Sequence, residues 1–195
     1  RRLSIDIDII VPKSVKIAEI NEILKNIVRT SSFTRYEEQE RHLSQIPKAH
    51  FKLFYESPFN QSEVYVLLDV LFEENPYSRL DSTDIVCPFI DTIPPNVTVK
   101  VPSIADILGD KLTAFAPNTT GILYDKEKEM EIIKQLFDIE SLFDQLSTTN
   151  GVKDTFIRCA EQELNYRQLT EMNYENVLDD IFKTAIIIGG RGSFD

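Results

Sequence analysis

The chain opens with the run Arg1-Arg2-Leu3-Ser4-Ile5-Asp6-Ile7-Asp8-Ile9-Ile10-Val11, in which two aspartates interrupt an otherwise aliphatic segment. Side chains of a strand alternate between its faces, so Ser4, Asp6 and Asp8 share one face and the odd-numbered isoleucines cover the other. The two carboxylates would lie about 6.5–7 Å apart along the strand. Such a pair suits the divalent cations that phosphoryl-transfer and nucleotidyl-transfer enzymes bind. The alternative is that both aspartates lie on the solvated face of an edge strand.

Composition limits the size and the surface of the protein. Its 195 residues, 42% of them hydrophobic, are enough for one domain, or for one domain with a helical appendage. The net charge of −11 argues against a generally basic surface for nucleic acid, so any RNA or DNA would meet a local patch or a metal-bridged site.

Cysteine usage and hydropathy indicate the compartment. Cys87 and Cys159 lie far apart without a paired motif, and no signal peptide or long apolar run is visible. We therefore expect a cytoplasmic protein with reduced thiols and no membrane partner.

Strand and helix patterns alternate through the first half of the chain. Ser14 is predicted to cap a helix that runs to about residue 29, and 33–37 is predicted as an exposed strand. In the strand predicted over 49–56, Phe51, Leu53 and Tyr55 would face the core, whereas His50 and Lys52 would face the other way.

The segment 64–72 is apolar on both faces and is therefore predicted to be central in its sheet. Asp69 is the exception within it. A lone carboxylate in such a strand is costly without a partner, so Asp69 is a candidate third metal ligand beside Asp6 and Asp8. The alternative is a hydrogen-bonded structural aspartate.

After two short predicted strands, near 83–87 and 97–101, the pattern becomes helical. Ser103 and Asp106 form a capping-box-like start, and Lys111 falls within the apolar stripe of that helix, where its ammonium must either reach solvent or meet an anion. The next helix is predicted over 127–146, with an apolar arc that carries Ile132, Ile133, Leu136, Phe137, Ile139 and Phe143.

Lys134 and Asp138 lie outside that arc, and their spacing of four residues predicts an exposed ion pair. Two further helices are predicted, over about 152–164 and 176–188. The fold class is therefore α+β: a mixed sheet with covering helices over 1–102, followed by a helical region over 103–195 that completes a cleft.

These motifs, in this order, resemble the AbiEii/AbiGii-type nucleotidyltransferase toxins of the DNA polymerase β-like nucleotidyltransferase superfamily. Arg2-Leu3-Ser4-Ile5-Asp6-Ile7-Asp8 is similar to the family's Arg-x-Ser-x-Asp-Ile-Asp. The segment 106–114 is similar to its lysine helix, and 133–138 is similar to its segment with a basic residue followed by Asp. The resemblance covers most of the chain.

The resemblance implies a nucleotidyltransferase fold and in-line attack by an acceptor hydroxyl on the α-phosphate of a nucleoside triphosphate. Asp6 and Asp8 would hold Mg²⁺ or Mn²⁺ ions, and Asp69 would complete the site as ligand or general base. Lys111 would bind the departing phosphates, and Ser4, Lys134 and Asp138 would be further site residues. Some members of the family modify RNA such as transfer RNA and act as toxins beside a cognate antitoxin, so both are expected partners.

The sequence departs from the family pattern in two places. The family's glycine-containing turn before the Asp-x-Asp strand is not in this sequence, so we expect an N-terminally truncated core with weak nucleotide transfer. The loop between Lys111 and Asp138 is also longer than usual. The competing hypotheses are a degenerate nucleotide-binding module without catalysis, and phosphotransfer from the γ-phosphate.

Overall fold

A computed structural model describes residues 6–39, 46–86 and 91–191, which form two compact units, Arg1–Asn75 and Pro76–Asp195. The first unit contains β1 (Asp6–Val11), α1 (Ile17–Thr30), β2 (Phe33–Gln39), β3 (Lys48–Glu56) and β4 (Glu63–Phe72). The second contains β5 (Leu80–Asp84), β6 (Thr98–Pro102), α2 (Ile104–Thr113), a 3-10 turn (Tyr124–Lys126), α3 (Glu129–Phe143), α4 (Val152–Tyr166) and α5 (Tyr174–Gly189). The predicted functional division at residue 102 stays a prediction.

The first unit is built on a four-stranded mixed sheet of order β1-β4-β3-β2. β1 is parallel to β4, whereas β3 is antiparallel to both of its neighbours. β4 therefore lies in the interior of the sheet, as its two-sided apolar pattern predicts. The mixed sheet with helices confirms the predicted α+β class.

Helix α1 covers one face of this sheet. Ile20 and Leu24 of the helix are buried against Phe51, Leu53 and Val70 of the central strands. These residues share a face because they alternate along β3 and β4, and their burial is the main force that holds helix and sheet together.

The start of α1 differs from the prediction. The N-cap is Lys16 rather than Ser14, because the side chain of Glu19 turns back and accepts a hydrogen bond from the Lys16 N–H at 2.8 Å. The side chain of Glu19 thus satisfies the backbone N–H of the N-cap residue, which is the acidic half of a capping box.

In the second unit, the β5–β6 hairpin precedes a group of packed helices. Ser103 caps α2 as predicted, since its hydroxyl accepts from the Asp106 N–H. Gly109 lets α2 and α4 touch through their backbones: a Cβ at this position would lie 2.5 Å from the Val152 carbonyl oxygen. Behind this crossing is a core of Ala116, Phe156, Ala160, Leu164 and Val177.

Asp106 joins the hairpin to the helices. Its side chain is buried and accepts from the N–H groups of Ser78 and Arg79, at 2.8 and 3.1 Å, and from the Ser103 hydroxyl at 2.6 Å. The Thr155 hydroxyl on α4 donates to it as well. Burial alone would raise the pKa of this carboxyl, but the four donors outweigh burial and hold the pKa below its ordinary value.

Helix α3 is less amphipathic than its sequence indicates. Ile132 is buried, but Ile133, Phe137 and Phe143 of the predicted arc are exposed. Gln135 is buried in their place, and its Oε1 has no hydrogen-bond partner among the described residues. Within the described ranges, no helix combines the length and the hydropathy that crossing a bilayer requires.

Candidate functional site

The face of the first unit's sheet that lies opposite α1 carries the predicted aspartates. In the parallel pairing of β1 with β4, Asp8 is the direct partner of Asp69, and Asp6 is the partner of Leu67. Partner residues on adjacent strands point to the same face, about 4.8 Å apart. Because Asp6 and Asp8 are two residues apart, all three carboxylates project from this one face.

The three aspartates differ in their exposure. Asp6 and Asp8 are exposed on β1, which is an outer strand of the described sheet, so this part of the edge-strand interpretation is correct. Asp69 is half-buried on the interior strand, with 27% of its side chain exposed. Ser4, the other predicted residue on this face, lies outside the described residues.

A histidine adjoins the aspartates on the same face. His50 is the register partner of Asp69 on β3, and its Nδ1 lies 2.8 Å from Asp69 Oδ1. The His50 side chain is 14% exposed. Asp8 on β1, Asp69 on β4 and His50 on β3 are therefore adjacent to one another across the three strands. Alternation along β3 predicted that His50 faces away from the core, but the register that identifies its partner could not be read from the strand pattern.

Two further cations on this face are held by their neighbours. The Lys52 Nζ lies 4.4 Å from the centre of the Tyr65 ring, and the Arg35 guanidinium lies 3.6 Å from that of Phe54. Arg35 also pairs with Glu63 at 2.6 Å, and this contact lowers the pKa of the Glu63 carboxyl. The aspartates therefore lie on a sheet face that also carries aromatic rings and positive charge.

The donors on this face fit a magnesium ion in type. Mg²⁺ prefers hard carboxylate oxygens, and the register puts three of them on neighbouring positions. Within residues 6–39, 46–86 and 91–191, however, no three His, Cys, Asp or Glu side chains are gathered in an arrangement that could hold a metal ion. Neighbouring carboxylates repel one another, which favours rotamers that keep them apart. The backbone thus places the three carboxylates on one face, but their side chains are not gathered into a metal-binding cluster.

The remaining predicted residues belong to the second unit. Lys111 on α2 extends toward α3, and its Nζ lies 3.9 Å from Asp138 Oδ2, with 32% and 16% of the two side chains exposed. Of the two predicted alternatives for the Lys111 ammonium group, reaching solvent or meeting an anion, the structure shows the second. Lys134 pairs with Glu131 at 3.4 Å, so the predicted ion pair with Asp138 is wrong. The cause is tertiary: packing of α2 against α3 brings a different lysine to Asp138.

The buried Cys159 has no part in this chemistry. It is a free thiol on α4, and burial raises its pKa, so the reactive thiolate is disfavoured. Cys87 lies outside the described residues.

Comparisons with known proteins match the chain to a family model and to several solved structures. No curated protein matches the chain. The crystal structure of JHP933 from Helicobacter pylori is similar with a TM-score of 0.47 and 15% identity, over 95% of this chain and 76% of that one. The family model described as nucleotidyl transferase AbiEii toxin, type IV toxin–antitoxin system, matches residues 1–187. The chain therefore belongs to the AbiEii nucleotidyltransferase toxin family of type IV toxin–antitoxin systems.

Proposed function

We propose that this protein is a Mg²⁺-dependent nucleotidyltransferase that transfers a nucleotide from a nucleoside triphosphate to an acceptor hydroxyl. The observation that carries the proposal is the register of β1 on β4, which pairs Asp8 with Asp69 and keeps Asp6 on the same face. Carboxylates on neighbouring strand positions are the type of donor that the metal ions of two-ion nucleotidyl transfer use. Membership of the AbiEii family supports the reaction class.

The roles of the three aspartates follow from their positions. Asp6 and Asp8, on the outer strand, are accessible to ions that arrive with a triphosphate. Asp69, on the interior strand, is held by the sheet on both sides and supplies the more rigid ligand. Bound Mg²⁺, or Mn²⁺ in its place, would activate the attacking hydroxyl and neutralise the leaving pyrophosphate.

The roles proposed for four further residues come from the family resemblance. Lys111 is proposed to bind the triphosphate, with Lys134 as a further phosphate-binding residue and Asp138 as the residue that orients Lys111. The 3.9 Å contact between Lys111 Nζ and Asp138 Oδ2 supports that last assignment. Ser4, two residues before Asp6 in the sequence, is proposed to contact the nucleotide.

RNA, including transfer RNA, is proposed as the acceptor, and a cognate antitoxin as the protein partner. Type IV toxin–antitoxin membership supports the antitoxin. The charge of −11 means that an RNA acceptor would depend on the metal ions and on local cations such as Lys52 rather than on a basic surface.

The proposal is tested by incubating the protein with Mg²⁺, total RNA and each triphosphate in turn, labelled at the α- or at the γ-phosphate. We expect α-label to pass to RNA with release of pyrophosphate. Asp8→Asn and Asp69→Asn should each reduce labelling by at least about 100-fold, because each removes a charged ligand. Glu56→Gln, an equal loss of charge at the exposed end of β3, is the control and should label as the wild type does.

Three other results would contradict the proposal. Transfer of the γ-label would make the protein a phosphotransferase. Binding of Mg²⁺-triphosphate without transfer of either label would make it a degenerate binding module. Equal labelling by wild type and Asp69→Asn would show that the carboxylate face is not the site.

A further inference from the structure

His50 lies beside the proposed metal site without being one of the aspartates assigned to it. Its side chain is largely buried on β3, and its Nδ1 lies 2.8 Å from Asp69 Oδ1. An ionised carboxylate can only accept, so the Nδ1 atom of His50 is the donor. Asp69 is thereby held from β3 on one side, while on its other side lies its β1 partner Asp8.

This contact occupies one oxygen of the Asp69 carboxylate. Among the described residues, His50 is the hydrogen-bond partner of Asp69, and that bond is made to Oδ1. A carboxylate fixed through one oxygen has lost most of its rotational freedom about χ2, and its second oxygen points in a defined direction. A ligand in this condition loses less entropy when it binds a cation than one that rotates freely.

We infer that His50 is a positioning residue for the cation site: its Nδ1–H fixes the Asp69 carboxylate so that the other oxygen is presented to Mg²⁺. The inference rests on the proposed function, because it concerns the metal site of that reaction. His50 touches neither substrate nor the reacting atoms in this role; it acts through Asp69. Loss of such an outer partner typically weakens metal binding by about 10–100-fold.

The competing explanation is a hydrogen bond that only stabilises the sheet. Such a bond contributes to the fold whatever side chain supplies it, and its loss would leave cation affinity unchanged. The two explanations are separated by measuring cation binding directly, without nucleotide and without turnover.

The test uses Mn²⁺ alone as the probe, titrated into the protein by calorimetry. His50→Phe keeps a flat ring of similar size and removes the donor, so we expect the Mn²⁺ dissociation constant to rise about 10–100-fold. His50→Asn carries an amide N–H close to the position of the imidazole Nδ1–H, and it should bind Mn²⁺ within about threefold of the wild type. Thermal unfolding of each variant shows that it is folded, and His50→Met replaces His50→Phe should that variant not fold.

Asp8→Asn and Asp69→Asn separate failure of this inference from failure of the proposed function. If both aspartate variants lose Mn²⁺ binding while His50→Phe binds as the wild type does, the positioning role is wrong and the proposed function stands. Equally weak binding by His50→Asn and His50→Phe would also overturn the role, because the donor would not be the cause. If neither aspartate variant changes Mn²⁺ binding, the metal site itself is wrong, and the inference falls with it.

Discussion

Replacement of Asp106 by Asn should destabilise the second unit. The Asp106 carboxylate accepts four hydrogen bonds: Oδ1 from the Ser78 N–H and the Thr155 hydroxyl, and Oδ2 from the Arg79 N–H and the Ser103 hydroxyl. In either orientation of an asparagine, the NH₂ group would face a backbone N–H. One backbone donor would then lose its acceptor.

The magnitude follows from these contacts. A part-buried N–H without an acceptor costs about 1 kcal/mol, and the bonds that remain lose the strengthening that a charged acceptor gives, which adds about 1 kcal/mol. We therefore expect Asp106→Asn to lower the free energy of unfolding by about 2 kcal/mol at pH 7. Glu161→Gln, an equal loss of charge at an exposed position of α4, is the control and should change it by less than about 0.5 kcal/mol.

The assay is urea unfolding followed by circular dichroism at 222 nm, because the chain has no tryptophan and four of its five described long helices lie in the second unit. The pKa of Asp106 is lowered in the folded state, so its contribution is present above the unfolded pKa of about 4 and is lost as pH falls through the lower folded value. The gap between wild type and Asp106→Asn should therefore shrink as the pH is lowered below about 4. A gap under about 1 kcal/mol at pH 7, or one that grows on acidification, would refute the reasoning.

Three further predictions concern the second unit. Lys111→Met should keep the fold and lower the free energy of unfolding by less than about 1 kcal/mol, because the contact with Asp138 is partly exposed. It should weaken binding of Mg²⁺-triphosphate, measured by calorimetry. Unchanged affinity would show that Lys111 is not part of the site. Gln135→Met should raise the free energy of unfolding by about 1 kcal/mol, since it removes a buried oxygen without a partner among the described residues. If urea unfolding shows a lower free energy of unfolding instead, the Gln135 side chain has a hydrogen-bond partner. Gly109→Ala should lower the free energy of unfolding by about 1–3 kcal/mol or more, because its Cβ would meet the Val152 carbonyl oxygen at 2.5 Å. The control is Gly189→Ala, which has nothing within 4 Å and should be neutral or slightly stabilising. Equal shifts of the unfolding temperature in the two variants would contradict the close approach.

Much of the fold could be predicted from periodicity alone. The two-sided apolar pattern of β4 predicted an interior strand, and alternation along β3 correctly placed Phe51 and Leu53 in the core. The cap at Ser103 was also predictable, because it depends on residues close in sequence. Local patterns are strong where the interaction itself is local.

The candidate site was predictable only in part, because it depends on register. A slip of one residue between β1 and β4 would have put Asp69 on the face opposite Asp8, and apolar residues on both faces of β4 leave that register weakly specified by the sequence. The contact between His50 and Asp69 could not be predicted for the same reason, because the partner of His50 is set by the β3–β4 register. The Lys134–Asp138 pair failed for a related reason: spacing along one helix could not reveal that α2 delivers Lys111 to Asp138.

The position of β1 in the sheet also has a consequence for the order of folding. β3 and β4 are neighbours in sequence and in the sheet, whereas β1 pairs with a strand that begins only at Glu63. Closing the longer loop costs more chain entropy, so we expect the β3–β4 hairpin to form before β1 docks. During synthesis, Asp6 and Asp8 leave the ribosome before β4, and β1 has no partner strand until β4 has emerged. The three proposed metal ligands are therefore brought to one face only when β1 docks on β4, so metal binding at all three is expected to follow that step.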